Sequence, residues 1–594
     1  MSFYDDESAI GKVYDRRLTG RLGHYVRPYI VPLAIAGILM LAVAVLELVP
    51  ILIVRHAIDQ QIEQGLTDEL PLLAFWYVAA LLASFVIRYV QGYLMAWVGQ
   101  RVVVDMRMEL FRHIQRMSIS FFDRNPVGRL VVRLTGDVQQ IEAVISQGLV
   151  QIFTNLLMVS AIIVAMYVLD WRLAAIMTLF VIPLVWLVKI FAAAQRDAFR
   201  DQRIWIARIN AYLNEMISGV AIVQLFNRQR RNQENFDERN RGNLDANLRV
   251  LFWYAVFEPT VVLFGALTTG TILWYGGARV ADNVLSLGTL VAFIAFMQRF
   301  FWPIRELAER FTMLQGAMAS AERIFGILDQ PEEIVDAPDA APLDEVRGAI
   351  RFDHVWFAYQ GEHWVLRGLD FSIAPGEKVA IVGATGAGKS TMMSLLSRFY
   401  DVQQGDILID GVSVRALPQR WLRRHVGIML QDPWIYTDSV AENIRLRDTS
   451  ISLDRVRDAA RAVGADRFIE ALPNQYGTML AERGANLSTG QKQLIALARV
   501  AAFNPEIVLV MDEATASIDP ETEATIQRGL AEVMVGRTAI IIAHRLNTIR
   551  VVDRILVLHH GELAEDGTHE QLLAKGGVYA RLHELQFTER AANT

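Results

Sequence analysis

The residues best suited to chemistry lie in the run Gly383-Ala384-Thr385-Gly386-Ala387-Gly388-Lys389-Ser390. Its glycines let backbone N–H groups close around an anion. The run also passes from a strand-like apolar segment, KVAIVG, into a helix-like one, TMMSLLSRFY. A helix N-terminus favours negative charge, so this is the setting of a phosphate-binding P-loop. In it, Lys389 reaches the β/γ-phosphates of a nucleotide and the Ser390 hydroxyl ligates Mg²⁺. A second apolar strand, IVLVMDEA, ends in Asp512 and Glu513. An acid at a strand's end beside a P-loop is placed to hold Mg²⁺ through water, the role expected of Asp512. Glu513 is then placed to orient or deprotonate the attacking water. A bare helix N-cap is the competing reading of the acidic pair, and the company of the P-loop weighs against it.

These groups need a scaffold, and the chain supplies one from about Gly348 onward, where short apolar strands alternate with helices as in an α/β domain. The stretch before it, QPEEIVDAPDAAPLDEV, has linker composition. Upstream the character changes. The 594 residues are 53% hydrophobic, and the excess sits in long apolar runs before about Pro303, so a bilayer domain joined to a soluble one is the simplest account. The net charge of −6 with no dominant basic face argues against nucleic acid as a partner. With no cysteine, disulfides, thiolate metal sites and a cysteine nucleophile are excluded. The polar, acidic start (MSFYDDESAIGKVYDRRL) lacks a signal core, so the first apolar run is expected to stay in the membrane.

A span needs ~20 mostly apolar residues. Six stretches qualify: 29–54, 72–98, 144–169, 173–190, 252–275 and 287–304. Only Asp170, Trp171 and Arg172 separate the third from the fourth, which predicts a tight hairpin. Arginines precede the first span (Arg16, Arg17, Arg21, Arg27) and fill the second-to-third and fourth-to-fifth connections, whereas the first connection is acidic. The positive-inside rule then places both chain ends in the cytoplasm, in an inner (plasma) membrane. The two long internal segments keep helical periodicity and predict membrane helices extended into the cytoplasm. Their turns, around 126–137 and 214–226, are the expected contacts with the second domain; the latter carries an apolar cluster that includes Ile217, Val220, Ile222, Leu225 and Phe226. Ionisable residues inside spans are costly. Arg88, Lys189 and Arg299 are expected to snorkel near the inner interface. Glu47 and Glu258, each near a proline, are candidates to line a substrate cavity or meet a cationic substrate, with an interhelical hydrogen bond as the alternative.

The motifs together resemble the ATP-binding cassette (ABC) transporter family. LSTGQKQ at 487–493 is similar to its signature motif, Gln431 in IMLQDP to its Q-loop, and His544 in IIAHRLNTI to its switch histidine. Tyr359 in VWFAYQG matches the aromatic that stacks on adenine, Ser517 and Asp519 the D-loop, and AERG at 481–484 the loop contacting the membrane domain. The first half resembles exporters in FFDRNPVGRLVVRLTGDV and in its span and loop lengths. The resemblance implies an exporter-type domain of six long transmembrane helices fused to an α/β P-loop cassette. It divides the chain into an N-terminal elbow segment (1–28), the membrane domain (29–328), a linker (329–347) and the nucleotide-binding domain (348–594).

It further implies that Tyr359, Gly383, Thr385, Gly386, Gly388, Lys389, Ser390, Thr391 and Gln431 bind ATP, and that Ser390, Gln431 and Asp512 serve Mg²⁺. Glu513 and His544 complete the hydrolytic site. Ser488, Thr489, Gly490 and Gln491 would touch the ATP of a second half-transporter subunit, paired head-to-tail. The implied activity is ATP-driven export of hydrophobic or amphipathic drugs or lipids by alternating access; a lipid or lipid-linked-intermediate flippase is the alternative, and an ATP-gated channel a more distant one. One position departs from the family's Leu-Ser-Gly-Gly-Gln: Thr489 stands where glycine is usual. A tolerated variant would explain it. An altered signature beside an intact Glu513 and His544 also matches one subunit of unequal pairs, so a heterodimer is favoured over a homodimer.

Overall fold

The computed structural model describes residues 16–511, 519–543, 549 and 551–585. The chain divides into two compact units, one of Met1–Gln115 with Val127–Pro331, the other of Arg116–Pro126 with Glu332–Thr594.

The first unit is helical. Among the described residues, five helical runs are long and apolar enough to cross a membrane: Arg16–Ile62, Leu70–Arg116, Val127–Leu169, Trp171–Ser218 and Gln229–Ala281. A shorter apolar stretch, Leu287–Phe301, heads the helix Leu287–Leu328. Only 11% of the apolar window of Leu70–Arg116 is buried, and 6% of that in Gln229–Ala281, so these helices turn their apolar side chains outward, as a protein solvated by lipid must. A single residue, Asp170, joins Val127–Leu169 to Trp171–Ser218. Its backbone is extended (φ −155°), and its carboxylate accepts from Leu173 N at 2.8 Å and from Arg279 Nη1 at 2.8 Å. Asp59 performs a similar service between the first run and the last, accepting from Ser286 Oγ (2.8 Å) and Gly288 N (2.7 Å). Only glycine fits at 288, because a Cβ would stand 2.5 Å from the Arg55 carbonyl oxygen.

The first internal turn falls upstream of the expected 126–137. Leu70–Arg116 stops before Ser118, whose extended backbone starts the short helix Ile119–Arg124, and Pro126 follows. That segment belongs to the second unit. Ser118, Ser120 and Arg124 bond the Glu333 carboxylate, and Tyr400 Oη donates to Asp123. The second internal turn agrees with the sequence reading: Trp171–Ser218 gives way at Gly219 to Val220–Leu225, and Ile217, Ile222, Leu225 and Phe226 are exposed.

The second unit holds two sheets. β1 (Ile350–Ala358), β2 (Trp364–Ile373), β4 (Gln404–Ile409) and β5 (Val412–Ser413) form an antiparallel sheet ordered β2-β1-β4-β5. The larger sheet is ordered β10-β9-β3-β8-β7-β6, from β3 (Lys378–Val382), β6 (Val426–Met429), β7 (Ile507–Met511), β8 (Thr538–Ile542), β9 (Arg554–His559) and β10 (Glu562–Gly567). All its pairings are parallel except β9 with β10. Parallel strands are covered on both faces, which explains why β8 reads TAIII and is buried throughout. One core packs between the two sheets around Phe352, Phe371 and Ile381; the other lies under the helices around Ile495, Val508 and Ile541.

Candidate nucleotide site

β3 runs directly into loop 383–388, and the helix Lys389–Leu396 leaves it. Gly386 and Gly388 have φ of +82° and +99°, where a side chain is strained. Gly383 is needed for space instead: a Cβ there would stand 2.4 Å from the Leu558 carbonyl oxygen. At Gly388 both causes act, since a Cβ would also meet Leu366 Cδ2 at 2.6 Å. Lys389 is buried, and its Nζ donates to the carbonyls of Gly383 (2.7 Å) and Ala384 (3.0 Å). A cation folded over a positive-φ loop at a helix N-terminus makes a cradle for an anion of phosphate's size.

Register brings more groups to the same place. Ile542 is paired with Ile381 on one side and Met511 on the other, and Met429 with Val510, so the carboxyl ends of β3, β8, β7 and β6 share one edge. In open α/β sheets this edge is where ligands bind. Gln431, exposed, lies two residues beyond β6. β7 ends at Met511, and Ala543 N still bonds Ile381 O at 3.2 Å. The sequence candidates Asp512, Glu513, Ser517 and His544 lie outside the described residues. Thr385 and Ser390 are exposed on the loop and the first turn of its helix.

Tyr359 closes one flank. It follows β1, its hydroxyl is 3.1 Å from Thr391 Oγ1, and its ring meets Phe357 and Tyr400 edge-on at 4.9 and 5.2 Å. About half of it is exposed (49%), so a ring face is available to a flat ligand. Sequence reasoning did not single out Tyr400. It supports the Tyr359 ring and donates to Asp123; burial, then that carboxylate, raise its hydroxyl pKa well above the ordinary tyrosine value. Hydrogen bonds from Ser120 and Arg124 hold the Glu333 carboxyl below its ordinary range against a smaller desolvation effect.

The signature residues begin the helix Thr489–Phe503. Ser488 is its N-cap, accepting from Gln491 N at 3.2 Å, while Gln491 Oε1 accepts from Ser488 N at 3.0 Å, a reciprocal capping box. Gly490 is buried in the first turn. Thr489 occupies the first helical position, is exposed, and has no positive φ. Threonine adopts that backbone freely, so the fold of this chain does not demand the glycine. Asp519 caps the helix Pro520–Val533 by accepting from Thr522 N at 2.8 Å, a bond that lowers its pKa. In the loop at 481–484, Arg483 stands over the Trp434 ring at 5.2 Å.

The two membrane candidates are not alike. Glu47 lies at a break between the helices Ile30–Leu46 and Val49–Ala57, and its carboxylate pairs with both Arg88 and Arg299. Those arginines were expected to snorkel, and they turn to a carboxylate instead, the kind of partner that a charge within a membrane span takes. Glu258 is exposed beside Pro259, inside the helix Gln229–Thr271.

Comparison with known proteins bears on the whole chain. The family model of the ABC transporter transmembrane region matches residues 33–304, and that of the ABC transporter matches 366–516. The chain is 38% identical over 519 residues to the "Probable multidrug resistance ABC transporter ATP-binding/permease protein YheH" of Bacillus subtilis, covering 87% of this chain and 76% of that one. To the "ATP-dependent lipid A-core flippase" of Syntrophus aciditrophicus it is 34% identical over 574 residues, 96% and 94% of the two chains. A solved bacterial Atm1-family ABC exporter with ATP bound superposes with a TM-score of 0.77 at 28% identity, over 95% of this chain and 98% of that one. The second unit is therefore an ATP-binding domain, and the chain belongs to the ABC transporter family, as an integral membrane protein of exporter fold whose ATPase is coupled to transport.

Proposed function

We propose that this chain is one half of a dimeric exporter that moves hydrophobic or amphipathic compounds out of the cytoplasm or the inner leaflet. The observation that carries the reading is a phosphate cradle and a lipid-solvated helical unit in one chain. Gly383, Gly386 and Gly388 give the phosphates their space, Lys389 offers its ammonium, and Tyr359 stacks on the base. Ser390 and Gln431 are exposed hard-oxygen donors beside the cradle, suited to Mg²⁺ together with Asp512 through water. The metal supplies charge neutralisation at the phosphates. Glu513 orients the attacking water, and His544 meets the γ-phosphate. The test is Glu513→Gln, expected to abolish turnover while ATP still binds; normal hydrolysis in that variant would remove Glu513 from the role of base.

Ser488, Thr489, Gly490 and Gln491 then face the nucleotide of the second subunit, with Ser517 and Asp519 at the shared boundary. Thr489 beside intact hydrolytic residues favours a distinct partner, with this chain as the catalytically stronger subunit. Purified alone it should show little coupled ATPase, and robust transport by the lone chain would establish a homodimer. The arginine pattern supports an inner-membrane position with both termini in the cytoplasm. The two relatives, one named for multidrug resistance and one for lipid A-core flipping, support drug or lipid cargo.

A further inference from the structure

The charged cluster of Glu47, Arg88 and Arg299 begins with a backbone defect. Pro50 has no N–H, and Ile51 N bonds Leu48 O at 3.1 Å instead of reaching back to Glu47 O. The Glu47 carbonyl is left without its helical donor, and Arg299 Nη1 supplies one at 2.8 Å. The same guanidinium stands 3.5 Å from Glu47 Oε2, and Arg88 Nη2 pairs with Oε1. Three helices thus converge on one side chain.

Depth follows from the chain. Asp59 caps the start of Leu287–Leu328, so the first and last runs are level at that end. Arg299 lies roughly 12 residues from Leu287, Arg88 roughly 18 from Leu70, and Glu47 roughly 15 from Ile62; at ~1.5 Å per residue, all three sit about 18–27 Å in from those ends. That is inside a hydrocarbon layer of ~30 Å, where charge is retained only facing a partner or a water-filled cavity. Two guanidiniums share one carboxylate, which leaves one positive charge. It is also reachable: the Glu47 side chain is 13% exposed, but those of Arg299 and Arg88 are 36% and 62% exposed. Among the described residues no other carboxylate pairs with either arginine.

We infer that Arg88 and Arg299 form a head-group subsite for anionic amphiphiles, bearing a carboxylate or a phosphate, and that Glu47 poises the two guanidiniums instead of receiving a cationic substrate. A guanidinium fork suits both head groups. This rests on the amphiphile-export reading above and names the substrate class.

The experiment uses the full transporter in phosphatidylcholine vesicles, with ATP hydrolysis followed as four amphiphiles of equal chain length are added below their micellar limits: an alkyl carboxylate, an alkyl phosphate, an uncharged alkyl glycoside and an alkyltrimethylammonium. The two anions should stimulate at concentrations about tenfold lower than the other two, the gain of one charge-assisted bond. Arg88→Gln should erase that preference and Arg88→Lys retain most of it, while Glu47→Gln should widen it by adding net positive charge. A purely structural cluster would lower folded yield in Glu47→Gln and Arg88→Gln alike and leave charge selectivity unmoved. Stronger stimulation by the phosphate than the carboxylate would identify a phospholipid-like cargo, and the reverse a fatty-acid-like one. Stimulation indifferent to charge, a preference for the cation, or anion preference surviving Arg88→Gln would overturn the subsite and leave amphiphile export standing. Hydrolysis that no amphiphile stimulates would overturn both.

Discussion

The phosphate cradle and the charged cluster in the membrane unit both hold a cation in place, by opposite means. In the cradle, consecutive residues do nearly everything: three glycines shape the loop, and Lys389 bonds the carbonyls of the fifth and sixth residues before it. In the membrane, residues 47, 88 and 299 come from three helices and meet only because each helix packs in place. Backbone geometry specifies the first site, and tertiary packing the second. A site of the first kind tolerates little change within eight residues. One of the second kind is exposed to changes anywhere along its helices.

Five substitutions sharpen that contrast. The largest effect should come from Lys389→Ala, which strips the cradle of its cation and takes a donor from the Gly383 carbonyl; hydrolysis should fall ~10²–10³-fold, with nucleotide binding lost in parallel. Weaker nucleotide affinity alone would mean that the glycine backbone dominates. Next, Gly388→Ala should cost about 1–3 kcal/mol, measured by thermal unfolding with and without ATP, because strain and collision add. Gly386→Ala, with the same sign of φ but no atom within 4 Å of the added carbon, should cost only ~1 kcal/mol. Equal costs would show that space, not conformation, is irrelevant to this loop.

Glu47→Ala should come third. Leaving two guanidiniums face to face ought to lower the melting temperature of the membrane unit while ATP binding is unchanged; loss of ATP binding would break the separation drawn between the sites. The smallest effect concerns Glu333. Its folded-state pKa lies below the ordinary 4.5, so its stabilising contribution is present above that value and is lost as pH falls through the depressed one. Glu333→Gln should lower the melting temperature slightly at neutral pH, where that contribution is present, and converge with the parent protein as pH falls, so that the acid limb of the profile flattens.

The same contrast explains what could be read in the sequence. The phosphate loop was legible because its chemistry is local and its setting, strand then helix, is a matter of composition. The hairpin at Asp170 and the apolar tip after Gly219 were legible for the same reason. The pairing of Glu47 with Arg88 and Arg299 was not, since periodicity shows that each residue is costly in a span but not which faces meet. Tyr400 escaped notice because its role depends on Asp123, 277 positions away. Thr489 stood out in the sequence through its departure from the family's glycine. The structure gives it an ordinary helical backbone, so any consequence must lie with what it faces.

The capping box at Ser488 and Gln491 has an effect before any subunit meets another. Both side-chain oxygens accept from backbone N–H groups of their own helix start, so the backbone cap at this edge is completed within the chain. A newly made chain therefore carries this helix start ready-formed, its cap owing nothing to a second subunit.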